Sequence, residues 1–394
     1  MVRFLNIIVF IVSFLIQSNL IAQQITIDKD GVKHIHNTAS VWGNNTKVEL
    51  QFVRKIGELN TTDSNYVFYH PIDICKDSAG NIYFLDKDGG KCIRKFDKDW
   101  KFVKNIGRMG QGPGEFTYPL YLNIDKRGNL YILNFISGFF IVDPKGKEIK
   151  RFNIPYPPYY EEMKNLKMIP RDPRIGFLWD PINYWEFGIF NNGNLLLSIS
   201  GGGGSFDKDF LNSNDFQKYY YTFRVINSNG ENINYFGKPN ISLGNDGKYH
   251  TIYNSPFIVD KNDDIYISYA ELNEIEKRTP YGQRIIFVTD RLLDHNISKY
   301  LVPKNKNEFN LVSRNIGVDD SGRIWVATYT KETYPSTDPL SKENKVRFDV
   351  FTNDGIWLGI IPVPVRYNSM YVIDNSIYFI VDEISIVEYK IVEK

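Results

Sequence analysis

The sequence predicts an all-β chain closed into a six-bladed β-propeller, with four short antiparallel strands to a blade. Three observations predict it. A hairpin signature recurs six times: Asn81-Ile82-Tyr83, Asn129-Leu130-Tyr131, Asn194-Leu195-Leu196, Asp264-Ile265-Tyr266, Arg323-Ile324-Trp325 and Ser376-Ile377-Tyr378. Each follows an Asx or glycine turn, and the copies stand roughly 50 to 70 residues apart, a spacing typical of repeated β-sheet units. The last copy has three strands before the chain stops, while a stray fourth strand lies near the N-terminus.

The hairpin turns are Asp77–Gly80, Asp125–Gly128, Asn191–Gly193, Asp260–Asp263, Asp319–Gly322 and Asp374–Ser376. Asp and Asn accept hydrogen bonds from their own backbone two residues on, and glycine supplies positive φ. A second set of turns joins the third strand to the fourth: Asp97–Trp100, Asp143–Gly146, Asn227–Gly230, Thr279–Gly282 and Thr352–Gly355. The fourth strands are then Phe102–Ile106, Glu148–Phe152, Asn232–Phe236, Arg284–Thr289 and Ile356–Ile361. The sixth copy offers Tyr371–Ile373, Ile377–Val381 and Ile386–Ile391. Its missing strand is supplied by Phe52-Val-Arg-Lys-Ile-Gly57, which matches Phe102-Val-Lys-Asn-Ile-Gly107. Leu50–Ile56 should therefore pair with Ile386–Ile391 and close the ring, leaving no free strand edge at the seam.

The remaining segments fit around this ring. Arg3 followed by the apolar Phe4–Ile16 reads as an export signal, residues 1–22, cleaved near Ala22. Residues 23–47 form an N-terminal hairpin turned at Asp30-Gly31, with His34 and His36 on one face. Residues 48–394 are the propeller. Three insertions, Pro155–Pro181, Gly201–Tyr219 and Thr330–Lys345, decorate it. No amphipathic helix of useful length is evident. Cys75 and Cys92, the only cysteines, fall on the first and third strands of one sheet, too far apart to bridge.

The 47 basic and 46 acidic residues nearly cancel, with no block of like charge, which speaks against nucleic acid as a partner. The apolar N-terminal run is too short to span a bilayer, so no membrane span is expected after cleavage. The expected protein is an exported monomer of the periplasm, cell surface or extracellular space.

The run Ile106-Gly-Arg-Met-Gly-Gln-Gly-Pro-Gly-Glu-Phe116, with Pro119, Ile124-Asp125 and Gly128-Asn129-Leu130-Tyr131, resembles the NHL-repeat-like six-bladed β-propellers of bacterial envelopes. That resemblance covers nearly all of the mature chain and implies the same fold. Many members of that family have no assigned activity, so it implies little about chemistry.

Motifs for chemistry are sparse. Gly110-Gln-Gly-Pro-Gly114 lacks the Gly-Lys-Ser/Thr ending and following helix of a phosphate loop, and reads as a tight crossing between blades. No Gly-x-Ser-x-Gly elbow occurs. The ends of the second strands read Asp86, Asn134, Ile199, Tyr269, Thr328 and Val381, which is not a ring of oxygen ligands for calcium. The inter-blade loops leading into each first strand carry His70, Tyr118, Trp185, His250, Arg314 and Arg366. Tyr, Trp and Arg at one face suit ligand binding. The ligand expected there is a small molecule, glycan, peptide or envelope protein, with no cofactor. The alternative is a lyase or lactonase using a divalent metal on the axis. His70 and His250 are the only histidines in those loops, and two imidazoles make a poor zinc site.

Overall fold

The computed structural model describes residues 22–58, 61–88, 92–134, 138–155, 183–200, 205–237, 239–252, 255–300, 303–305, 307–331 and 345–394. Residues 1–21 of the expected export signal, most of the Pro155–Pro181 and Thr330–Lys345 insertions, and the Gly201–Gly204 tip lie outside the described residues.

Six antiparallel sheets form the ring. The first blade is Pro71–Lys76, Ile82–Asp86, Cys92–Phe96 and Phe102–Ile106, and the second is Pro119–Ile124, Leu130–Asn134, Gly138–Val142 and Glu148–Phe152. The third is Asn183–Ile189, Leu195–Ser200, Phe223–Ile226 and Asn232–Phe236. The fourth is Phe257–Val259, Ile265–Ser268, Ile275–Arg278 and Ile285–Asp290. The fifth is Ser313–Val318, Ile324–Tyr329, Val346–Phe351 and Trp357–Pro362. The sixth takes Ser369–Ile373, Ser376–Val381 and Ser385–Glu393 from the C-terminus and Val48–Ile56 from the N-terminus.

The closing register is the expected one: Leu50 opposes Ile391 and Ile56 opposes Ile386. Local turn chemistry made the blades predictable. Gly80, Gly128, Gly193 and Gly322 hold φ between 77° and 86°, and Asp263 and Asp374 take the same left-handed region without glycine. In the first of these turns Asp77 Oδ1 accepts from Ala79 N and Asn81 N at 3.0 and 2.8 Å.

The core lies between neighbouring blades, where each sheet face packs on the next. At the first junction Leu85, Ile93, Leu122, Ile132 and Phe140 are buried together. At the seam between blades five and six, Val48 joins Trp325, Phe348, Phe379 and Ile391. Cys75 is buried and unpaired on the first strand of its blade, while Cys92 opens the third strand.

The N-terminal hairpin is not a separate appendage. Gln23–Ile27 pairs with Lys33–Asn37, and Lys33–Asn37 runs parallel to the outer strand of blade four, with Lys33 opposite Phe287 and His36 opposite Asp290. The chain then crosses blade five, where Val41 N and Trp42 N donate to Trp357 O and Leu358 O at 3.0 and 2.7 Å. It reaches blade six as Val48–Ile56. One N-terminal strap thus ties three consecutive blades. Asn37 fastens it, donating from Nδ2 to Thr289 Oγ1 at 2.9 Å and accepting from Trp357 N at 2.9 Å.

The described part of the Gly201–Tyr219 insertion contains the short helices Lys208–Leu211 and Asn214–Tyr219, capped by Asp207 and Ser213. Beside them, Ser205–Phe206, Tyr249–Ile252 and Asn240–Leu243 make a small added sheet. Helices this short hold by tertiary contact rather than propensity. Here the contact is aromatic: Phe206 stacks on Phe210 at 4.9 Å between centroids and meets Tyr220 edge-on at 5.2 Å.

Candidate functional site

The first strands of all six blades surround a cavity of about 860 Å³ on the propeller axis. Four of these strands, in blades one, two, three and five, carry the same irregularity: the register slips between Pro71 and Asp73, Pro119 and Tyr121, Tyr184 and Glu186, and Ser313 and Asn315. A bulge re-aims the side chain beside it, and Asp73, Tyr121, Glu186 and Asn315 all line the cavity. Blade four contributes Ser255 and Pro256, and blade six contributes Ser369 and Tyr371.

Asp73 is 7% exposed. Its carboxylate is held by two backbone donors, Ile74 N to Oδ1 at 2.9 Å and Leu122 N to Oδ2 at 2.7 Å, the second reaching across from blade two. Those hydrogen bonds favour the ionised form, but burial outweighs them and pushes its pKa up to about 7. Glu186 stands open to the void but is walled in by protein. Loss of bulk solvent, then the negative charge of Asp73, push its pKa up to about 8. Burial likewise raises the Tyr121 and Tyr371 hydroxyls, which also feel both carboxylates. Tyr371 donates to Ile72 O at 2.7 Å.

Across the ring, Arg314 is fixed to blade six. Its Nη2 donates to Tyr367 O and Asn368 O at 2.9 and 3.0 Å, and its guanidinium lies 4.6 Å over the Tyr367 ring. Ser255 Oγ and Asn315 Oδ1 are buried without a hydrogen-bond partner among the described residues. At the other end of the cavity the hairpin turns fasten one blade to the next. Asn191 N donates to Asp263 Oδ1 at 2.8 Å, Lys261 Nζ to Asp320 O at 3.3 Å, and Lys76 Nζ to Asp374 Oδ2 at 2.6 Å.

Among the described side chains of the six, Arg314, which sits on the first strand of blade five, is the one that lines this cavity. His70 precedes the first strand of blade one and pairs with Asp88, Nδ1 to Oδ2 at 2.8 Å. Tyr118 is 49% exposed before blade two, its N–H bound to Asn134 Oδ1 at 2.7 Å. Trp185 sits on the first strand of blade three, its side chain outside the described residues. His250 lies in the added sheet and pairs with Asp246 at 3.2 Å. Arg366 is exposed before blade six. The two histidines keep separate acidic partners, and among the described residues no three His, Cys, Asp or Glu side chains converge to hold a metal ion.

Asp86 and Asn134, which sequence spacing brings near the axis, serve instead as fasteners for the inter-blade loops. Asp86 is fully buried, accepts from His70 N at 2.7 Å and pairs with Arg94 Nε at 2.9 Å. The glycine-rich crossing is also satisfied. Gly112 N donates to Glu115 Oε2 at 2.8 Å and Gly114 N to Glu148 Oε2 on the outer strand of blade two at 2.7 Å, so neighbouring carboxylates hold donors a phosphate would need. Gly107, at φ 75°, lets the Phe116 ring sit where a Cβ would be only 2.1 Å away.

The two cavity carboxyls make a pH prediction. An unfolded Asp or Glu titrates near about 4, so both bind protons more tightly in the folded chain. Their contribution to stability is full below about pH 4 and is lost as pH rises through about 7 to 8. Asp73→Asn with Glu186→Gln should therefore flatten the fall in Tm between about pH 5 and about pH 9. Melting curves that stay parallel to wild type across that range would refute the assignment.

The comparisons agree on the fold. A family model described as a 6-bladed β-propeller, DUF5128, matches residues 30–148. No curated protein matches the chain. Among solved structures, the chain is similar to a DUF4221-family member from Bacteroides vulgatus, at 13% identity over 88% of this chain and 99% of that one, with a TM-score of 0.59. It is also similar to a presumed exported protein from Bacteroides fragilis, at 11% identity over 92% and 99%, TM-score 0.51. Virginiamycin B lyase from Staphylococcus aureus aligns at 12% identity over 88% and 100%, with a TM-score of 0.45, too loose a superposition to bear on chemistry. The chain is a six-bladed β-propeller similar to bacterial propeller families.

Proposed function

We propose that this chain is a binding propeller that takes a small organic ligand into its axial cavity, reached from the side of the inter-blade loops. The observation that carries the reading is the cavity itself. At about 860 Å³ it falls within the usual range for ligand pockets. All six blades wall it, and it presents buried, unpartnered polar atoms at Ser255 and Asn315. Such atoms lose hydrogen bonding on folding unless a ligand or water restores it. We also read the chain as exported; the protein recovered from its native cells should then begin near Gln23, and an intact Met1 terminus would contradict this.

A fragment library screened by ligand-detected NMR tests the binding role. Ser369→Phe narrows the cavity and should abolish the hits, whereas Tyr118→Ala and Arg366→Ala on the outer loops should leave them. The reverse pattern would move the site to the loop face and overturn the cavity assignment.

A further inference from the structure

The cavity wall is rich in oxygen acceptors, and most of its basic side chains are engaged with other groups. Asp73 and Glu186 line it, and neither has a basic partner among the described residues. Asn315 Oδ1, a carbonyl oxygen, has no donor among the described residues. Ser255 is 4% exposed, lines the same cavity, and its Oγ has no partner there. Tyr121 and Tyr371 place aromatic rings between these groups around the ring of blades. The basic residues are engaged elsewhere: Arg314 holds the carbonyls of blade six, Lys76 holds Asp374, and Lys261 holds Asp320 O. Lys126, with Asp125 and Asp260, lies on the hairpin-turn side of the cavity.

Resting on the cavity reading above, we infer that the ligand is a cationic aliphatic amine whose ammonium group sits beside Asp73 and Glu186. An ammonium offers three donors and no acceptor, which complements this wall. The flanking tyrosines favour a cation over their faces. Where both carboxyls are ionised, above about pH 8, an anionic ligand would meet two like charges and a neutral one would supply no counter-charge. Binding is coupled to proton loss: the amine stabilises the ionised carboxylates, so each bound cation drives off protons that the empty cavity keeps.

Isothermal titration calorimetry on the mature protein tests this with butylamine and cadaverine as probes, and pentanediol and glutarate as neutral and anionic counterparts. At about pH 8 the amines should bind and the counterparts should not. Glu186→Gln, which keeps the side-chain shape, should weaken the amines about tenfold or more, the loss of a charge-assisted hydrogen bond. Affinity should rise from about pH 6 to about pH 8, and buffers of different ionisation enthalpy should report proton release. Amine affinity unchanged in the Asp73→Asn, Glu186→Gln double variant overturns the inference, as does failure of both amines to bind. Cavity binding of pentanediol or glutarate in preference to the amines overturns the cationic class alone and leaves the binding role standing. Probes bound only by the outer loops overturn both.

Discussion

A chain lacking residues 22–57 loses its single cooperative melt and associates in solution. The deletion strips Val48–Ile56 from blade six and leaves Ser385–Glu393, paired with that strand from Ile386 to Glu393, as an open edge. An open strand edge is a template for other chains. The damage extends inward, because Val48 is fully buried among Trp325, Phe348 and Ile391, and removing buried aliphatic groups costs about 1–5 kcal/mol each. Size-exclusion chromatography should show oligomers, and a synthetic peptide of residues 48–57 added during refolding should shift the population back toward monomer. A monomeric truncated protein with a wild-type Tm would show that blade six does not depend on its N-terminal strand.

The second large effect is expected at Arg291. Its side chain is fully buried where blade four hands over to blade five. Nε meets Asp349 Oδ2 at 3.2 Å, and Nη2 donates to Ser313 Oγ and Thr328 Oγ1 at 3.2 and 2.8 Å. Arg291→Met leaves Asp349 buried with only Arg347 near, Nε to Oδ1 at 3.4 Å. Breaking one side of a buried ion pair costs about 3 kcal/mol or more. The double variant Arg291→Met, Asp349→Leu should recover much of that loss, because two apolar groups remove the stranded charge. Thermal melts of the two singles and the double give the coupling directly. Additive losses would mean that the pair does not act as a unit.

The blades were readable from sequence because each depends on local chemistry. Asp77, Asp125 and Asp319 bind their own turn backbone, and alternating apolar residues follow. Even ring closure was legible, since Phe52–Gly57 repeats the wording of Phe102–Gly107. The cavity was legible only in part. Attention to the loops found Arg314, but the acidic wall was missed. A signal for it exists. Asp73, Tyr121 and Asn315 each stand four residues before the first residue of a hairpin turn, as Glu186 stands four before Phe190. Counting back from the turn would have aligned the ring, whereas the ends of the second strands pointed to Asp86 and Asn134. Those side chains are polar because loop backbone must be satisfied, and that need is invisible until the loop is placed. The docking of residues 23–37 on blade four was not legible either. Nothing local in Lys33–Asn37 names a partner some 250 residues away.

The N-terminal strap also sets an order of events. Lys33–Asn37 needs the outer strand of blade four, Trp42 needs the outer strand of blade five, and Val48–Ile56 needs the last nine strand residues of the chain. The strand Val48–Ile56 thus waits longest for its partner, at the far end of the chain. Long-range pairings of this kind slow folding and expose unpaired strands meanwhile. Blades one to three take no strand from the strap, but the ring stays an open arc until the C-terminal strand is available to pair with Val48–Ile56.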